Sequence, residues 1–299
     1  MVKNLEVFVS IKRLTGHIFR NEKCYSLSWK ARKQVGEECG VPNREARLVG
    51  GEYLTGHEFP WTASIQVNVD GNASSLPATL ITPKYLLTSA NNVIGKTPLQ
   101  VKIIVGQIDK CFPDITSSTM SVDRIVIHPD YNPASKAHDI ALLRLSTPVV
   151  IDRRVSPICL PSTNYEYTSQ VGIVYGWSDA GNSSCRARKL ALPILKEQDC
   201  VKGVREAQYI TSDKGCLGVI GSINPICEND SGTAVMHKSK TGIYDLVGIL
   251  GDKNDCEGIG AALYADVKAN LNWILENTKD YCNCRKLNLP VSITSLRLF

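Results

Sequence analysis

Several features that define other protein classes are missing from this chain of 299 residues. No apolar run approaches the ~18 residues that a membrane-spanning helix requires, so we expect no membrane span. No internal repeat or low-complexity segment is present. None of the 11 cysteines belongs to a paired CxxC arrangement, and no histidine stands near the close pair Cys282 and Cys284. The sequence therefore predicts no metal site and no cofactor.

A convincing secretory leader is also missing. The apolar run at residues 5–11 is short, is interrupted by Glu6 and is followed by Lys12 and Arg13. A leader instead carries its basic residues before a longer apolar segment. We therefore expect the beginning of the sequence to be incomplete or misassigned.

The excess of positive over negative charge comes from the two ends of the chain. Residues 1–47 hold 10 basic and 5 acidic side chains, and residues 285–299 add 3 basic side chains and no acid. The remaining residues 48–284 hold 21 basic and 24 acidic groups, a balance of −3. Solvated tails explain this distribution, so the sequence predicts no nucleic-acid partner.

The cysteine content points to an oxidising compartment. Eleven cysteines are too many for an ordinary cytosolic enzyme and are typical of a disulfide-bonded protein. Sequons at Asn72 and Asn182 lie in polar stretches and predict N-glycosylation. Both observations predict a secreted, extracellular protein.

Short strand-like segments recur along the chain from residue 63 onwards. The predicted strands are Ala63–Val69, Thr79–Leu87, Val101–Val105, Ser121–His128, Ile140–Leu145, Gly172–Tyr175, Lys189–Leu195, Thr233–His237 and Tyr244–Leu250. Helical spacing appears only near the end, in a segment that reaches about Asn277. The pattern predicts an all-β fold of two six-stranded antiparallel β-barrels with a C-terminal α-helix.

The chain divides into three parts. Residues 1–47 have no sustained periodicity and are predicted to be a linking or pro-segment. They end at Arg47, and Leu48 is followed by two glycines, which is typical of a cleavable junction. The alternative is an uncut turn. We expect the main domain to span residues 48–279 and a tail to span residues 280–299.

The segment Cys227–Gly232 holds a candidate nucleophile. Ser231 lies between an aspartate and a glycine, and a reactive serine needs such a tight turn beside a residue that allows a close approach. In oxyanion-hole chemistry the amides of the serine and of the residue two before it face the developing charge, so Asn229 and Ser231 are the candidate donors. The alternative is that Asp-Ser-Gly is simply a turn.

Six motifs occur in the order found in chymotrypsin-like serine proteases, and the sequence resembles that family over about residues 39–280. The motifs are Leu48–Gly51, Glu58–Trp61, Asp139–Leu145, Pro157–Pro161, Tyr175–Trp177 and Cys227–Gly232. Their collinear order makes the resemblance specific. It implies a protease-like fold with its candidate catalytic residues at the junction of two barrels.

The resemblance implies catalytic positions at Asn91, Asp139 and Ser231. In the family a histidine follows a Leu-Thr-Ala-Ala run, whereas here Leu87–Ala90 is followed by Asn91, so asparagine stands where the general base is expected. The intervals of 48 and 92 residues between the three positions agree with the family spacing. An amide has no usable basicity, so we expect the chemistry to be impaired.

Five histidines remain as candidates for a substitute base. The resemblance matches four of them to non-catalytic positions, namely His17, His57, His128 and His237. His138 adjoins Asp139, but adjacent side chains of a strand point to opposite faces. We therefore expect no substitute.

Disulfides are implied by the same resemblance. It pairs Cys39 with Cys159, Cys200 with Cys216 and Cys227 with Cys256. Cys111 and Cys185 fall in neighbouring loops of this fold and form a candidate fourth pair, which leaves Cys24, Cys282 and Cys284. Two family disulfides have each lost both cysteines, at positions matched by Leu76 with Asn92 and by Gly172 with His237. Loss in pairs indicates a chain that still folds.

The predicted substrate pocket departs from the family. Pro225, followed by Ile226, stands at the pocket floor, where trypsin-like enzymes hold an aspartate. The Ser-Trp-Gly edge that binds substrate backbone is matched by Gly251, Asp252 and Lys253. The resemblance therefore implies weak binding of a peptide substrate.

Two glycines near the candidate nucleophile are also replaced, by Asn229 and Thr233. Asp230 is retained, and in the family this carboxylate pairs with the amino terminus that activation releases. Leu48 would supply that terminus here.

The sequence predicts a secreted serine protease homologue that folds without hydrolysing peptides. Its expected partners are other extracellular proteins, namely proteases, zymogens or inhibitors of a proteolytic cascade, as in similar arthropod and venom homologues. The alternative is an active serine endopeptidase.

Overall fold

The computed structural model describes residues 39–43, 52–53, 57–69, 72–107, 109–111, 117–179, 182–204, 207–251 and 260–281. Within these ranges the structure is mostly β, as predicted. It contains a closed barrel, a second sheet and three short α-helices.

Six antiparallel strands form the closed barrel, called the first barrel below. They are β2 (Thr62–Val69), β3 (Asn72–Thr82), β4 (Tyr85–Thr88), β5 (Val101–Val105), β6 (Ser118–Ile127) and β7 (Ala141–Leu145). Their order is β2-β3-β4-β7-β6-β5, and β5 pairs with β2 to complete the circuit. In β2, Ala63, Ile65 and Val67 are buried while Gln66 and Asn68 are exposed, which is the alternation of a half-buried strand.

The strand predicted over residues 79–87 is wrong, because the chain turns within it. β3 ends at Thr82 and β4 begins at Tyr85. The Thr82 hydroxyl oxygen accepts hydrogen bonds from the amides of Lys84 at 3.1 Å and Tyr85 at 2.9 Å. These bonds satisfy donors that the turn withdraws from the ladder, a local effect that hydrophobic periodicity does not record.

Seven strands form the second sheet. They are β1 (Glu52–Tyr53), β8 (Val171–Asp179), β9 (Asn182–Pro193), β10 (Lys214–Leu217), β11 (Ala234–Lys238), β12 (Tyr244–Leu250) and β13 (Ala262–Asp266), in the order β1-β9-β8-β11-β12-β13-β10. An isolated bridge joins Ile194, just beyond β9, to Leu217 of β10, so the sheet curves round on itself. The predicted second six-stranded barrel is therefore this seven-stranded sheet, to which β1 adds an edge.

The helices are short. They are α1 (Ala90–Val93), α2 (Glu197–Gly203) and α3 (Leu271–Asn277), and 3₁₀ helices occupy Pro98–Gln100, Ala207–Tyr209 and Glu228–Asp230. Leu271 and Ile274 bury one face of α3, which ends at Asn277 as predicted. Across the described ranges, no helix has the length and apolar character needed to cross a membrane.

An aromatic cluster joins the first barrel to the second sheet. Phe59 and Trp61 precede β2, and their rings lie 5.4 and 5.5 Å from that of Tyr244 in β12. Phe59 also lies 6.1 Å from Tyr175 of β8. All four residues are at most 2% exposed, and offset aromatic pairs at this spacing add to the area they bury.

A buried ion pair crosses the same junction. Lys189 Nζ of β9 lies 2.8 Å from Glu58 Oε1, and the two side chains are 6% and 1% exposed. Burial, together with the Glu58 charge, raises the pKa of the nearby Tyr244 hydroxyl to about 12. Removal of either side chain would leave the other as an unpaired charge in an apolar environment, which would lower the stability of the fold.

Replacing Lys189 with methionine should therefore lower the free energy of unfolding by about 3–5 kcal/mol, because Glu58 would remain as an unpaired buried charge. Urea unfolding followed by tryptophan fluorescence measures the change. The double variant Glu58→Leu/Lys189→Met should recover most of the loss. Lys279→Met is the matched control, since its partner Glu276 and Lys279 itself are 66% and 72% exposed. Equal losses in Lys189→Met and Lys279→Met would contradict this interpretation.

Candidate functional site

Ser231 follows the 3₁₀ helix Glu228–Asp230 on a compact turn. The Asp230 amide donates to the Cys227 carbonyl at 3.0 Å, and the Cys227 amide donates back to Asp230 Oδ2 at 3.1 Å. The Gly232 amide then donates to the Leu250 carbonyl at 2.8 Å, which joins the turn to β12. These bonds fix the backbone on both sides of Ser231.

Gly232 is required by both its conformation and its surroundings. Its φ of +94° lies in the region that favours glycine. A Cβ there would lie 2.5 Å from the Pro77 carbonyl oxygen and 2.6 Å from both Asn92 Nδ2 and the Thr88 hydroxyl oxygen. The Ser231 turn is thus pressed against β3, β4 and α1 of the first barrel.

Asp139 organises the opposite side of the site. It is 1% exposed, and its Oδ1 accepts from the Ser89 hydroxyl at 2.7 Å and from the Asn91 amide at 2.9 Å. Ser89 is the N-cap of α1, and its hydroxyl also accepts from the Asn91 amide at 3.2 Å. A carboxylate at a helix N-terminus satisfies amides that lack an intrahelical partner.

The Asn91 side chain is held by the loop that precedes Asp139. Its Oδ1 accepts from Lys136 Nζ at 2.8 Å and from the Tyr131 hydroxyl at 3.2 Å. Lys136 has a φ of +56°, an unusual conformation for a residue with a side chain. The main chain of Asn91 therefore contacts Asp139, while its side chain contacts Lys136 and Tyr131.

The Ser231 hydroxyl is buried without a hydrogen-bond partner in the described part of the chain. Ser231 is 2% exposed, and its Oγ has no donor or acceptor within reach. The described histidine rings make their contacts elsewhere: His57 with the Gly106 carbonyl, His138 with Asn270, His128 with His138 and Trp273, and His237 with Val171 and Tyr165. No base accompanies the serine in these ranges.

Asn92 connects α1 to the Ser231 turn, a role that the sequence did not predict. Its Nδ2 donates to the Ser231 carbonyl at 2.8 Å and to the Thr88 hydroxyl at 3.2 Å. Asp139 and Ser231 thus both contact one four-residue helix, through Asn91 and Asn92 respectively. The signal in the sequence was the polar residue standing where the resemblance implied a cysteine.

His237 stands at the second position of that kind. β11 pairs with β8 through Met236 and Ile173, which places His237 opposite Gly172, the residue matched to the other lost cysteine. His237 Nδ1 forms a hydrogen bond with the Val171 carbonyl at 3.1 Å. His237 therefore makes a polar contact beside the residue matched to its lost partner, whereas Asn92 contacts the Ser231 turn instead.

Three disulfides lie within the described ranges. They join Cys39 to Cys159, Cys111 to Cys185 and Cys200 to Cys216, with Cα–Cα distances of 4.8, 5.1 and 5.8 Å. Cys227 is also disulfide-bonded, and its expected partner Cys256 lies outside the described residues. Asp109 joins Cys111 and Cys185 in a cluster of metal-ligand type, but both sulfurs are engaged in the disulfide.

Of the predicted pocket residues, the structure describes Pro225, Ile226 and Gly251. Pro225 is exposed, while Ile226 is 1% exposed within the core of the second sheet. Asp252 and Lys253 lie outside the described residues, as do the predicted junction residues Arg47 and Leu48. The side chains at the two sequons, Asn72 and Asn182, are likewise outside the described part, although each begins a strand, β3 and β9 respectively.

Gly251, another predicted pocket residue, approaches the site. A Cβ built on it would lie 3.4 Å from Asp139 Oδ2. Asn229 is exposed, lies in the 3₁₀ helix before Ser231 and is not among the residues of positive φ. Thr233 is fully buried, and its amide donates to the Asp230 carbonyl at 3.0 Å.

Two stacked histidines anchor the loop that leads to Asp139. The rings of His128 and His138 lie 4.3 Å apart with an angle of 8° between their planes. His138 Nδ1 is 2.9 Å from Asn270 Oδ1, and the His138 amide donates to Asp213 Oδ2 at 2.6 Å. Burial lowers the pKa of His128, the neighbouring His138 lowers it further, and the charges of Asp130 and Asp213 oppose this shift.

A six-stranded antiparallel barrel, a second antiparallel sheet, and a buried aspartate and a serine turn that meet at one short helix define the class of trypsin-fold serine proteases and their homologues. The chain belongs to the trypsin family, whose sequence pattern matches residues 48–274.

Relatives within this class cover most of the chain. Clotting factor G beta subunit of Tachypleus tridentatus is 25% identical over 272 residues, which cover 85% of this chain and 87% of that protein. Haptoglobin of Canis lupus familiaris is 28% identical over 282 residues, with shares of 82% and 81%. Trypsin-1 of Astacus astacus is 28% identical over 238 residues, with shares of 77% and 99%.

Replacing Asn92 with aspartate should lower the free energy of unfolding by about 1–3 kcal/mol, because the donor to the Ser231 carbonyl is lost and a buried acceptor is left unsatisfied. Asn132→Asp is the matched control. Asn132 Oδ1 only accepts, from the amides of Ala134 and Ser135, and a carboxylate keeps that role. Urea unfolding of both variants under non-reducing conditions compares them. Equal stability of the two variants would show that the Asn92 bond contributes nothing.

Stability should also fall as the pH drops below about 6.5, the ordinary pKa of histidine. The lowered pKa of His128 means that the unfolded chain binds a proton that the folded chain binds less readily, so acid favours unfolding. His128→Phe should show a smaller loss between pH 7.5 and pH 5 when urea midpoints are compared. An unchanged loss in that variant would assign the effect to other groups.

Proposed function

We propose that this chain is a secreted trypsin-fold homologue that binds other extracellular proteins without hydrolysing them. The observations that support the proposal are the buried Ser231 hydroxyl, which has no hydrogen-bond partner in the described ranges, and the asparagine at position 91, where the family resemblance places histidine. The Asn91 amide donates to Asp139, while the Asn91 side chain is engaged by Lys136 and Tyr131.

The chemical consequence follows from the basicity of the groups present. Serine becomes a nucleophile when a neighbouring base removes its proton, and an amide oxygen is too weak a base for this step. In a comparable triad, loss of the histidine lowers turnover by about 10⁶-fold, equivalent to about 8 kcal/mol of barrier. A defect of that size removes useful proteolysis even if substrate binds.

The surroundings of Ser231 support the same proposal. The family resemblance gives glycine at position 229 so that its amide can face an oxyanion, whereas Asn229 adopts an ordinary φ inside a 3₁₀ helix. Each oxyanion donor contributes about 3 kcal/mol to the transition state. Pro225 and Gly251 supply no charged or hydroxyl group to a substrate.

The proposed partners are proteases, zymogens or inhibitors of an extracellular cascade. One relative is named as a clotting factor subunit, which is the support for this setting. The disulfides favour an oxidising compartment. The slight negative balance of residues 48–284 argues against nucleic acid. The proposed function requires no cofactor.

The alternative is an active serine endopeptidase. It is favoured by the presence of both Asp139 and Ser231, by their contacts with one helix, and by the similarity to Trypsin-1. This alternative requires a base that the described residues do not supply to Ser231.

A fluorophosphonate label distinguishes the two functions, because its attack requires an activated serine. We expect no labelling of the chain after cleavage following Arg47. The Asn91→His variant should be labelled, since imidazole restores a base beside Asp139. It should still turn over peptide esters poorly unless glycine is also placed at positions 229 and 233.

The Asn91→His/Ser231→Ala variant is the control for labelling at this serine. Robust labelling and cleavage by the unmutated chain would overturn the proposal in favour of the endopeptidase. Robust cleavage by Asn91→His alone would show that the substrate region is intact and only the base is missing.

A further inference from the structure

Residues 109–111 fasten the first barrel to the second sheet. They follow β5, and the disulfide between Cys111 and Cys185 attaches them to β9. The Lys110 amide donates to the Cys185 carbonyl at 2.8 Å, and Asp109 forms an antiparallel bridge with Arg186. The backbone of Lys110 is therefore held against a strand of the other sheet.

The side chain of Lys110 lies over an aromatic ring. Its Nζ is 4.3 Å from the centroid of the Trp177 ring, and Trp177 is 5% exposed. An ammonium at this distance from the face of an indole is attracted by the ring electrons. The charge of Lys110 is thereby directed towards the junction of the two sheets.

The carboxylate of Asp230 lies beside the same strand. Asp230 is 5% exposed, and a Cβ on Gly176, the residue before Trp177, would lie 2.2 Å from Asp230 Oδ1. Only glycine at position 176 admits the carboxylate so close to β8. The Lys110 ammonium and the Asp230 carboxylate thus lie against consecutive residues of β8, Trp177 and Gly176 respectively. Burial lowers the pKa of Lys110 to about 8, and the charge of Asp230 opposes this shift.

We propose that Lys110 is a positioning residue for the Ser231 turn, because its ammonium balances the buried Asp230 carboxylate while the chain is still uncut at Arg47. The proposal goes beyond the proposed function, because the Ser231 turn would be ordered whether or not the chain is cleaved after Arg47. It does not require Ser231 to be reactive. In this proposal the Cys111–Cys185 disulfide holds residues 109–111 in the place where the side chain of Lys110 lies over Trp177.

Hydrogen exchange of the intact chain tests the proposal. Arg47→Gln keeps the chain uncut and is the background for every variant. In Lys110→Met, the amides of residues 227–232 should exchange about tenfold faster, the size expected for loss of one interaction with a charged group. Exchange in β4 should be unchanged. Lys110→Arg, which keeps the charge, should remain within about twofold of the background.

Two controls separate the charge from packing and from general loss of lysine. Lys102→Met removes a lysine of β5 whose Nζ donates to the Ser121 hydroxyl on the first barrel, and it should leave residues 227–232 unaffected. In a chain carrying Asp230→Asn, adding Lys110→Met should cause little further change, because the charge that it balances is gone. A further tenfold change there would assign the effect to packing on Trp177 and overturn the proposal.

Further outcomes of the exchange experiment also test the proposal. Unchanged exchange in Lys110→Met would overturn the proposal directly. If that variant lacks a cooperative unfolding transition, Lys110→Gln takes its place. Failure of both neutral variants to fold, beside a folded Lys110→Arg, would mean that the whole fold requires the charge and not the Ser231 turn in particular, which would overturn the proposal. Fluorophosphonate labelling is recorded separately, so failure of the proposed function leaves this result interpretable.

Discussion

The approach of the Ser231 turn to the first barrel is the contact on which the rest of the site depends. A backbone without a side chain at Gly232 lets the turn reach the Pro77 carbonyl and the side chains of Thr88 and Asn92. The helix α1 then contacts both halves of the molecule, because Asn91 donates to Asp139 and Asn92 donates to the Ser231 carbonyl. A larger residue at position 232 would separate the sheets as well as alter a loop.

Polar contacts occupy places where the family resemblance implied disulfides. Asn92 bonds the Ser231 carbonyl, and His237 bonds the Val171 carbonyl beside Gly172. A hydrogen bond restrains the native state but leaves the unfolded chain as free as before, whereas a disulfide restricts the unfolded chain. Stability at these two places therefore depends on the burial of the hydrogen bonds, and Asn92 and His237 are 8% and 7% exposed.

The sequence predicted the class of fold because its strands alternate and its motifs keep their order. It missed β1, β10 and β13, and it joined β3 to β4 because the Thr82 cap leaves no mark in hydrophobicity. The residues of the site were found by motif, yet their contacts were not. The contacts of Asn91 with Lys136 and of Lys110 with Trp177 depend on loop geometry that distant parts of the chain set.

The disulfide between Cys39 and Cys159 has a consequence for any scission of the chain. It joins positions 120 residues apart, on either side of the Arg47–Leu48 bond. Cutting that bond would therefore divide the backbone without releasing a fragment. Segments tethered in this way meet at effective concentrations of up to about millimolar. Two weak contacts with one partner, one from each segment, would then act as a single tight attachment through avidity, without any change in either surface.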